Sequence, residues 1–337
     1  MRMPWLDFFR GIAALVVVAY HFRTALGLPD FSFGYLAVDL FFVLSGIVLG
    51  IRYTAAIENG MSFAEFAWHR LRRLYPMAAM VAALVATLNA ASVPAGQYMH
   101  AWREGAWSAL FITPYPLGAG VGSSFPCDSP MWSLWAELAS NVVWFAVLRM
   151  GRRATTATFV LSMLMFGVLA IHAHEFFMGL DAGVRGLVSA LIRALAWFGV
   201  GYWIALRKPR PIAHPGWLVL ALVLACALFE THAVSDVVSG ALVVLSGTAL
   251  LVALMAPRPS SPFLQRLCAG LGMMSYPLYL IHVPAGRLAW YPIHFGMNVV
   301  VAHLLVLAAA GLGATLVNEA IVNRLPTRLR RLDTKAA

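Results

Sequence analysis

Four side chains that can take up or release a proton lie inside strongly apolar stretches of the sequence: His21, Asp39, Glu137 and His282. An ionisable group is costly in such surroundings, so each one is a candidate for function. An imidazole beside a carboxylate suits general-base chemistry, because the carboxylate orients the ring and stabilises its cation. For any one of these residues, the alternative is a polar contact between helices. Together they predict a buried site for proton transfer.

A second set of candidates is basic, and consists of Arg10, Arg70 and Arg73. Arg70 and Arg73 are three residues apart, so they face the same way on a helix. With Arg10 they could hold a polyphosphate through charge-assisted hydrogen bonds. Binding of lipid headgroups by a basic interfacial helix explains the same residues at least as well on composition alone. No metal-ligand spacing, P-loop, dinucleotide fingerprint or nucleophile elbow accompanies them.

The elements that must position these residues are membrane-spanning helices. Of the 337 residues, 61% are hydrophobic and 11% are charged, whereas soluble domains have roughly 45–50% and 25%. A spanning helix needs about 20 mostly apolar residues. The sequence therefore predicts an all-α polytopic membrane protein, a single domain over residues 1–337 without a fused soluble domain. Its ten expected spans lie near residues 8–27, 36–53, 76–93, 131–148, 156–173, 186–206, 216–230, 237–256, 270–290 and 297–322.

The basic residues in the connecting segments indicate the orientation of these spans. Eighteen Lys and Arg residues fall in one alternating set of segments and four in the other. The positive-inside rule then places both termini in the cytoplasm and residues 94–130 outside. Ser62 and Glu65 form a capping-box pattern, which predicts a cytoplasmic interfacial helix over residues 62–74.

In this topology the four proton-exchanging residues lie at similar depth. His21 follows Arg10 by eleven residues, so the two share a helix face and are separated by roughly 16 Å along the axis. Asp39 lies in the second span, which forms an antiparallel hairpin with the first. Glu137 and His282 lie about 10 Å and 12 Å below the outer ends of their helices. These positions predict one polar site that opens toward the outside.

Five motifs, in order along the chain, resemble those of the bacterial acyltransferase-3 membrane family. The sequence departs from the family pattern after Glu137, where Leu-Ala-Ser-Asn follows, and near the C-terminus, where Arg324-Leu325-Pro326 replaces an acidic-x-Pro motif. The matching residues are Arg10 and His21 in LDFFRGIAALVVVAYHF, Asp39, Phe41, Phe42, Ser45 and Gly46 in AVDLFFVLSGIVLG, Arg70 and Arg73 in RLRRLYP, Trp132, Ser133 and Glu137 in MWSLWAE, and Ser275, Tyr276 and His282 in SYPLYLIH.

The resemblance implies a multi-pass enzyme of the bacterial inner membrane. Such an enzyme moves an acyl group, expected here to be acetyl, from cytoplasmic acyl-CoA to a hydroxyl of an envelope glycan or glycolipid on the outer face. Acyl-CoA is then a substrate, and no permanently bound cofactor, metal or nucleic acid is expected. The residues assigned to binding of acyl-CoA are Arg10, Arg70, Arg73, Ser45 and Gly46.

Catalytic roles follow from the same resemblance. His21 is expected to be the base, with Asp39 or Glu137 orienting its ring. The candidates for the acceptor site are Trp132, Ser133, Tyr276 and His282.

Two questions stay open at this point. His21 could act as base for direct attack by the acceptor hydroxyl, or a transient acyl-enzyme could relay the group. The competing function is a transporter or exporter of a glycan or lipid intermediate. Many transporters show internal repeats or paired broken helices, and this sequence shows neither.

Overall fold

The structure is a computed structural model that describes residues 3–28, 31–91, 102, 103, 107, 130–173, 184–207, 216–232, 234–254 and 261–324. Within these ranges the regular structure is helical, without a strand. Most of the expected outer segment over residues 94–130 lies outside the described residues. A 3₁₀ turn, Phe33–Leu36, precedes the second helix. The helices are α1 Pro4–His21, α2 Ala37–Arg52, α3 Thr54–Glu58, α4 Phe63–Ala91, α5 Met131–Met150, α6 Arg152–Ala173, α7 Val184–Arg207, α8 Gly216–Glu230, α9 Asp236–Leu254, α10 Pro262–Leu288, α11 Trp290–His294 and α12 Val299–Arg324.

Each of the ten predicted apolar stretches coincides largely with one of these helices. Within the described part of the chain, seven are long and apolar enough to cross a membrane: α2 with its preceding 3₁₀ turn, α4, α5, α6, α7, α9 and α12. Helix α8 is apolar but shorter. Helices α1 and α10 carry Arg10, His21 and His282, so the helices that bear much of the candidate chemistry are not among the seven. The protein is therefore a multi-pass membrane protein.

The helix start that the capping box predicts is confirmed. The backbone N–H of Glu65 donates to the Ser62 hydroxyl over 3.2 Å. The structure does not contain a separate interfacial helix over residues 62–74, because α4 continues through Pro76 to Ala91. A proline inside a membrane helix is tolerated where neighbouring helices pack around the altered backbone. Here the Tyr276 hydroxyl of α10 donates to the Leu74 carbonyl, close to Pro76.

Two glycines let α2 and α7 cross with their backbones in close contact. A Cβ atom on Gly46 would overlap the carbonyl of Phe198, and one on Gly201 would overlap the carbonyl of Val43. Small residues at such a crossing are the usual means of close helix packing in membranes. Gly46 therefore holds α2 against α7.

Replacing Gly46 by alanine is expected to destabilise the fold by about 1–3 kcal/mol, because the new methyl group meets backbone atoms that cannot move aside cheaply. The measurement is the unfolding free energy of the purified protein in detergent. Gly167→Ala on α6 is the matched control, since a Cβ atom there meets nothing within 4 Å. Equal stability of the two variants would contradict the tight crossing.

The candidate site lies between a second group of helices. Helix α1 packs along α10, and α10 packs in turn against α12 and contacts α4. Helix α2 contacts both α1 and α5. This arrangement surrounds the space beside α1 with the helices that carry the sequence motifs.

Candidate active site

A cavity opens between α1, α2, α4, α5 and α10. It encloses about 740 Å³ of space between the atoms, counting the open solvent at its mouth. Three arginines and one carboxylate give it its charge, and aromatic and aliphatic side chains form the remainder of its wall. The lining residues are Arg10, Phe41, Phe42, Ser45, Val48, Arg70, Arg73, Leu74, Ser133, Leu134, Glu137, Tyr276 and Tyr279.

Arg70 is the most unusual residue of this cavity. It is only 5% exposed, and its Nε and Nη2 atoms have no hydrogen-bond partner among the described residues. Its guanidinium lies 4.8 Å from the ring centroid of Tyr53 and 5.7 Å from that of Phe66. A buried charged donor without an acceptor costs stability. A lipid-facing basic helix does not explain a guanidinium buried in this way, whereas an anion bound in the cavity would supply the missing acceptors.

The other two arginines complete a basic wall. Arg10 pairs with Asp7 one turn earlier, with its Nη1 atom 3.8 Å from a carboxylate oxygen. Arg73 is exposed at the cavity. The structure brings Arg10, Arg70 and Arg73 together, because all three line one cavity.

Of the other residues expected to bind acyl-CoA, Ser45 lines the cavity and Gly46 does not. The Ser45 hydroxyl donates to Glu137 Oε1 over 2.7 Å. The prediction that Gly46 contributes to the acyl-CoA site is corrected by the structure. The helix turn that points Ser45 at the cavity turns Gly46 toward Phe198 of α7.

The two histidines are in direct contact. His282 Nε2 lies 3.3 Å from His21 Nδ1, and the ring centroids are 4.8 Å apart in an edge-to-face arrangement. His21 is exposed at the end of α1, whereas His282 is completely buried in α10. The predicted meeting of these residues is therefore seen, but His282 contacts the other imidazole and is not placed to face an acceptor.

Backbone carbonyls define which nitrogen of each ring carries its hydrogen. His21 Nδ1 lies 2.9 Å from the Val17 carbonyl oxygen, and His282 Nδ1 lies 2.6 Å from that of Tyr279. A carbonyl oxygen can only accept, so each Nδ1 is assigned as the N–H donor. In the neutral rings, each Nε2 atom is then unprotonated. The exposed His21 ring thus offers Nε2 as a base.

Tyr279 connects the cavity to the histidine pair. Its ring lines the cavity, and its hydroxyl lies 2.6 Å from that of Ser133. Its backbone carbonyl holds His282. Ser133, predicted for the acceptor site, therefore lies in the wall of the basic cavity.

Asp39 has a different partner from the one that the sequence analysis expected. Its two carboxylate oxygens accept from Nε and Nη2 of Arg193 in α7, both over 2.7 Å. Both side chains are completely buried. The expected contact of Asp39 with His21 is absent from this geometry, because the carboxylate is fully engaged by a bidentate ion pair. Glu137 accepts from the Ser45 hydroxyl and is likewise not hydrogen-bonded to His21 among the described contacts.

Breaking this ion pair is expected to be costly. Asp39→Asn should lower the unfolding free energy by about 3–5 kcal/mol, because it leaves the buried Arg193 charge uncompensated. The double variant Asp39→Leu/Arg193→Met should be far less destabilised, because it removes both charges. Equilibrium unfolding in detergent measures both. A double variant that is as unstable as the single one would contradict the pairing.

The other two residues predicted for the acceptor site, Trp132 and Tyr276, have different surroundings. Trp132 is 6% exposed, and its ring packs beside Phe42 and beneath the Arg193 guanidinium, at 6.3 Å and 5.6 Å. Its indole therefore has no free face for a sugar. Tyr276 lines the basic cavity.

Sequence reasoning missed Arg193 and Tyr279 as parts of this region. Arg193 carried a usable signal, because an arginine inside an apolar span must find a partner. Tyr279 carried no such signal in the sequence beyond its position three residues before His282. Among the described residues, no group of three or more His, Cys, Asp or Glu side chains could hold a metal ion.

Comparison with known proteins identifies the family. The sequence model of a family described as an acyltransferase domain matches residues 3–318. "Protein 2 in picA locus" of Rhizobium radiobacter is 34% identical over 192 residues, which cover 52% of this chain and 96% of that protein. YrhL of Bacillus subtilis, named as a candidate peptidoglycan O-acetyltransferase, is 27% identical over 84% of this chain and 48% of its own length. O-acetyltransferase OatA of Staphylococcus aureus is 24% identical over 84% of this chain and 50% of its own length.

The chain thus spans about half the length of these two O-acetyltransferases. No solved structure matches it. Because the family match covers nearly the whole chain and includes every motif that builds the cavity and the histidine pair, this protein belongs to the acyltransferase-3 family and is an acyltransferase.

Proposed function

We propose that this protein transfers an acetyl group from acetyl-CoA to a hydroxyl of an envelope glycan, across the bacterial inner membrane. The names of YrhL and OatA, which describe O-acetyltransferases, support the acetyl group and the hydroxyl acceptor. The name of YrhL, which specifies peptidoglycan, supports a glycan acceptor. The proposal places the Arg10 end of α1 at the cytoplasm, as the distribution of basic residues favours.

The observation that carries the proposal is the buried Arg70 guanidinium with its two unpartnered donor atoms. Phosphate oxygens are strong acceptors for such donors and match the planar geometry of arginine. Arg10 and Arg73 on the same cavity wall would bind the further phosphates of CoA.

The thioester arm would then extend along α1 from the arginines toward His21. The eleven residues between Arg10 and His21 correspond to roughly 16 Å along the helix. Phe41, Phe42 and Leu134 provide an apolar part of the cavity wall in which the arm would begin.

In the direct version of the reaction, His21 Nε2 takes the proton of the acceptor hydroxyl. The hydroxyl oxygen attacks the thioester carbonyl carbon, the carbon–sulfur bond breaks, and the CoA thiolate recovers the proton from His21. Val17 and His282 accept from the Nδ1–H of the ring throughout. A base held in this way supplies roughly 10²–10⁴-fold in rate.

The test is an assay of the purified protein in detergent, without any ion gradient. Acetyl-CoA is supplied with peptidoglycan fragments or with other envelope polysaccharides, and release of the CoA thiol is followed together with the mass of the glycan. We expect acceptor-dependent thiol release and a glycan heavier by one acetyl group.

A transporter would behave differently in the same preparation. It would neither release CoA thiol nor change the mass of any glycan, but in sealed vesicles it would move an unmodified glycan or lipid. That pair of results would overturn the proposed function.

A further inference from the structure

The side-chain hydrogen-bond partner of the exposed imidazole is a second imidazole and not a carboxylate. His282 Nε2 is 3.3 Å from His21 Nδ1, while Asp39 is engaged by Arg193 and Glu137 accepts from Ser45. In a general-base site the group behind the ring orients it and maintains its tautomer. The residue in that position here is His282.

The backbone determines in which direction His282 can act. Its Nδ1–H is donated to the Tyr279 carbonyl over 2.6 Å, so the neutral ring has only Nε2 as an acceptor. That atom points at His21 Nδ1, which also contacts the Val17 carbonyl of its own helix. The Val17 carbonyl is shared, because in a regular α-helix it also accepts a backbone N–H. His282 gives the Nδ1–H of His21 a second acceptor.

Burial separates the roles of the two histidines. His282 is completely buried and is enclosed by the rings of Phe22 and Tyr279, at centroid distances of 6.3 Å and 5.9 Å. It does not line the basic cavity, so neither substrate reaches it there. His21 is exposed and has its Nε2 atom available.

We propose that His282 is the positioning residue of this enzyme: a neutral acceptor that holds the His21 ring with Nδ1 protonated and Nε2 directed at the substrates. The inference rests on the proposed function, in which His21 is the base. It assigns to a buried histidine the task that a carboxylate performs in many hydrolases and transferases.

The decisive comparison is between His282→Gln and His282→Met. Glutamine and methionine are similar in length and volume and are both uncharged, but only the glutamine amide places an acceptor oxygen near the position of Nε2. We expect His282→Gln to retain kcat for acetyl transfer within a few fold. His282→Met should lower kcat by about ten- to a hundredfold, while the KM for acetyl-CoA stays unchanged because the arginines are untouched.

A purely structural role for His282 gives a different pattern. If the folded Gln and Met variants are equally active, or are equally inactive, the acceptor is not what matters and the inference is wrong. A fall in kcat together with a rise in the KM for acetyl-CoA would also overturn it.

A spectroscopic measurement keeps this test separate from that of the proposed function. The ¹⁵N NMR signals of labelled histidine distinguish protonated from unprotonated ring nitrogens, and His21→Gln identifies the His21 signals. We expect Nδ1–H and a bare Nε2 for His21 in the wild type and in His282→Gln, and a mixture of tautomers in His282→Met. An unchanged His21 spectrum in the Met variant would contradict the positioning role, whether or not acetyl transfer is observed.

Discussion

Replacing His21 by glutamine should lower the rate of acetyl transfer by about 10²–10⁴-fold, which is the usual contribution of a general base. Glutamine keeps a hydrogen-bonding group at the end of α1 but cannot take up the proton of the acceptor hydroxyl at neutral pH. Binding of acetyl-CoA should be unchanged, because the arginines that we propose as phosphate ligands lie toward the other end of α1. Steady-state kinetics and a separate binding measurement test the two parts.

His303→Gln is the matched control for this experiment. His303 is half-buried on α12, and its Nδ1 atom contacts the Val299 carbonyl four residues earlier, as the Nδ1 atom of His21 contacts Val17. It differs from His21 in having no described hydrogen bond to a second imidazole. The control should keep full activity. A His21→Gln variant that also keeps most of its activity would make His21 a structural contact.

Replacing Arg70 by methionine should weaken acetyl-CoA binding and stabilise the free protein at the same time. Loss of a charge-assisted phosphate contact of roughly 1.5–3 kcal/mol corresponds to about a ten- to hundredfold rise in Kd. The free protein gains stability because a buried charge with two unpartnered donor atoms is removed. Calorimetric titration gives the first quantity and the melting temperature in detergent gives the second.

Arg72→Met is the matched control for Arg70→Met. It removes the same charge from the same helix two residues away, but Arg72 does not line the cavity. It should leave the Kd of acetyl-CoA unchanged. Equal effects of the two variants on the Kd would mean that the overall positive charge of this region matters and the cavity does not.

Sequence spacing along single helices was enough to predict much of the site. Arg70 and Arg73 line one cavity because a separation of three residues puts them on one helix face, and Ser62 and Glu65 form the expected cap. These features depend only on the helical repeat, which a sequence displays directly.

The partners across helices could not be predicted in the same way. Depth estimates brought Asp39 to the level of His21, but α2 also faces α7, where Arg193 supplies a stronger partner. Trp132 was expected to contact a sugar for its chemistry and is instead packed beneath Arg193. Which face of a helix meets which neighbour depends on close crossings such as the one at Gly46, and these follow from packing in three dimensions.

The central claim is that the acetyl group enters beside Arg70 and leaves beside His21, on opposite sides of the membrane. Sealed vesicles of known orientation test it directly, with labelled acetyl-CoA on one side and a glycan acceptor on the other. We predict label in the acceptor only when acetyl-CoA is supplied on the side of the Arg10 end of α1. At acetyl-CoA concentrations well below the wild-type Kd, Arg70→Met should give about ten- to a hundredfold less label. Transfer that requires both substrates on the same side, or passage of unlabelled acceptor alone, would contradict the claim.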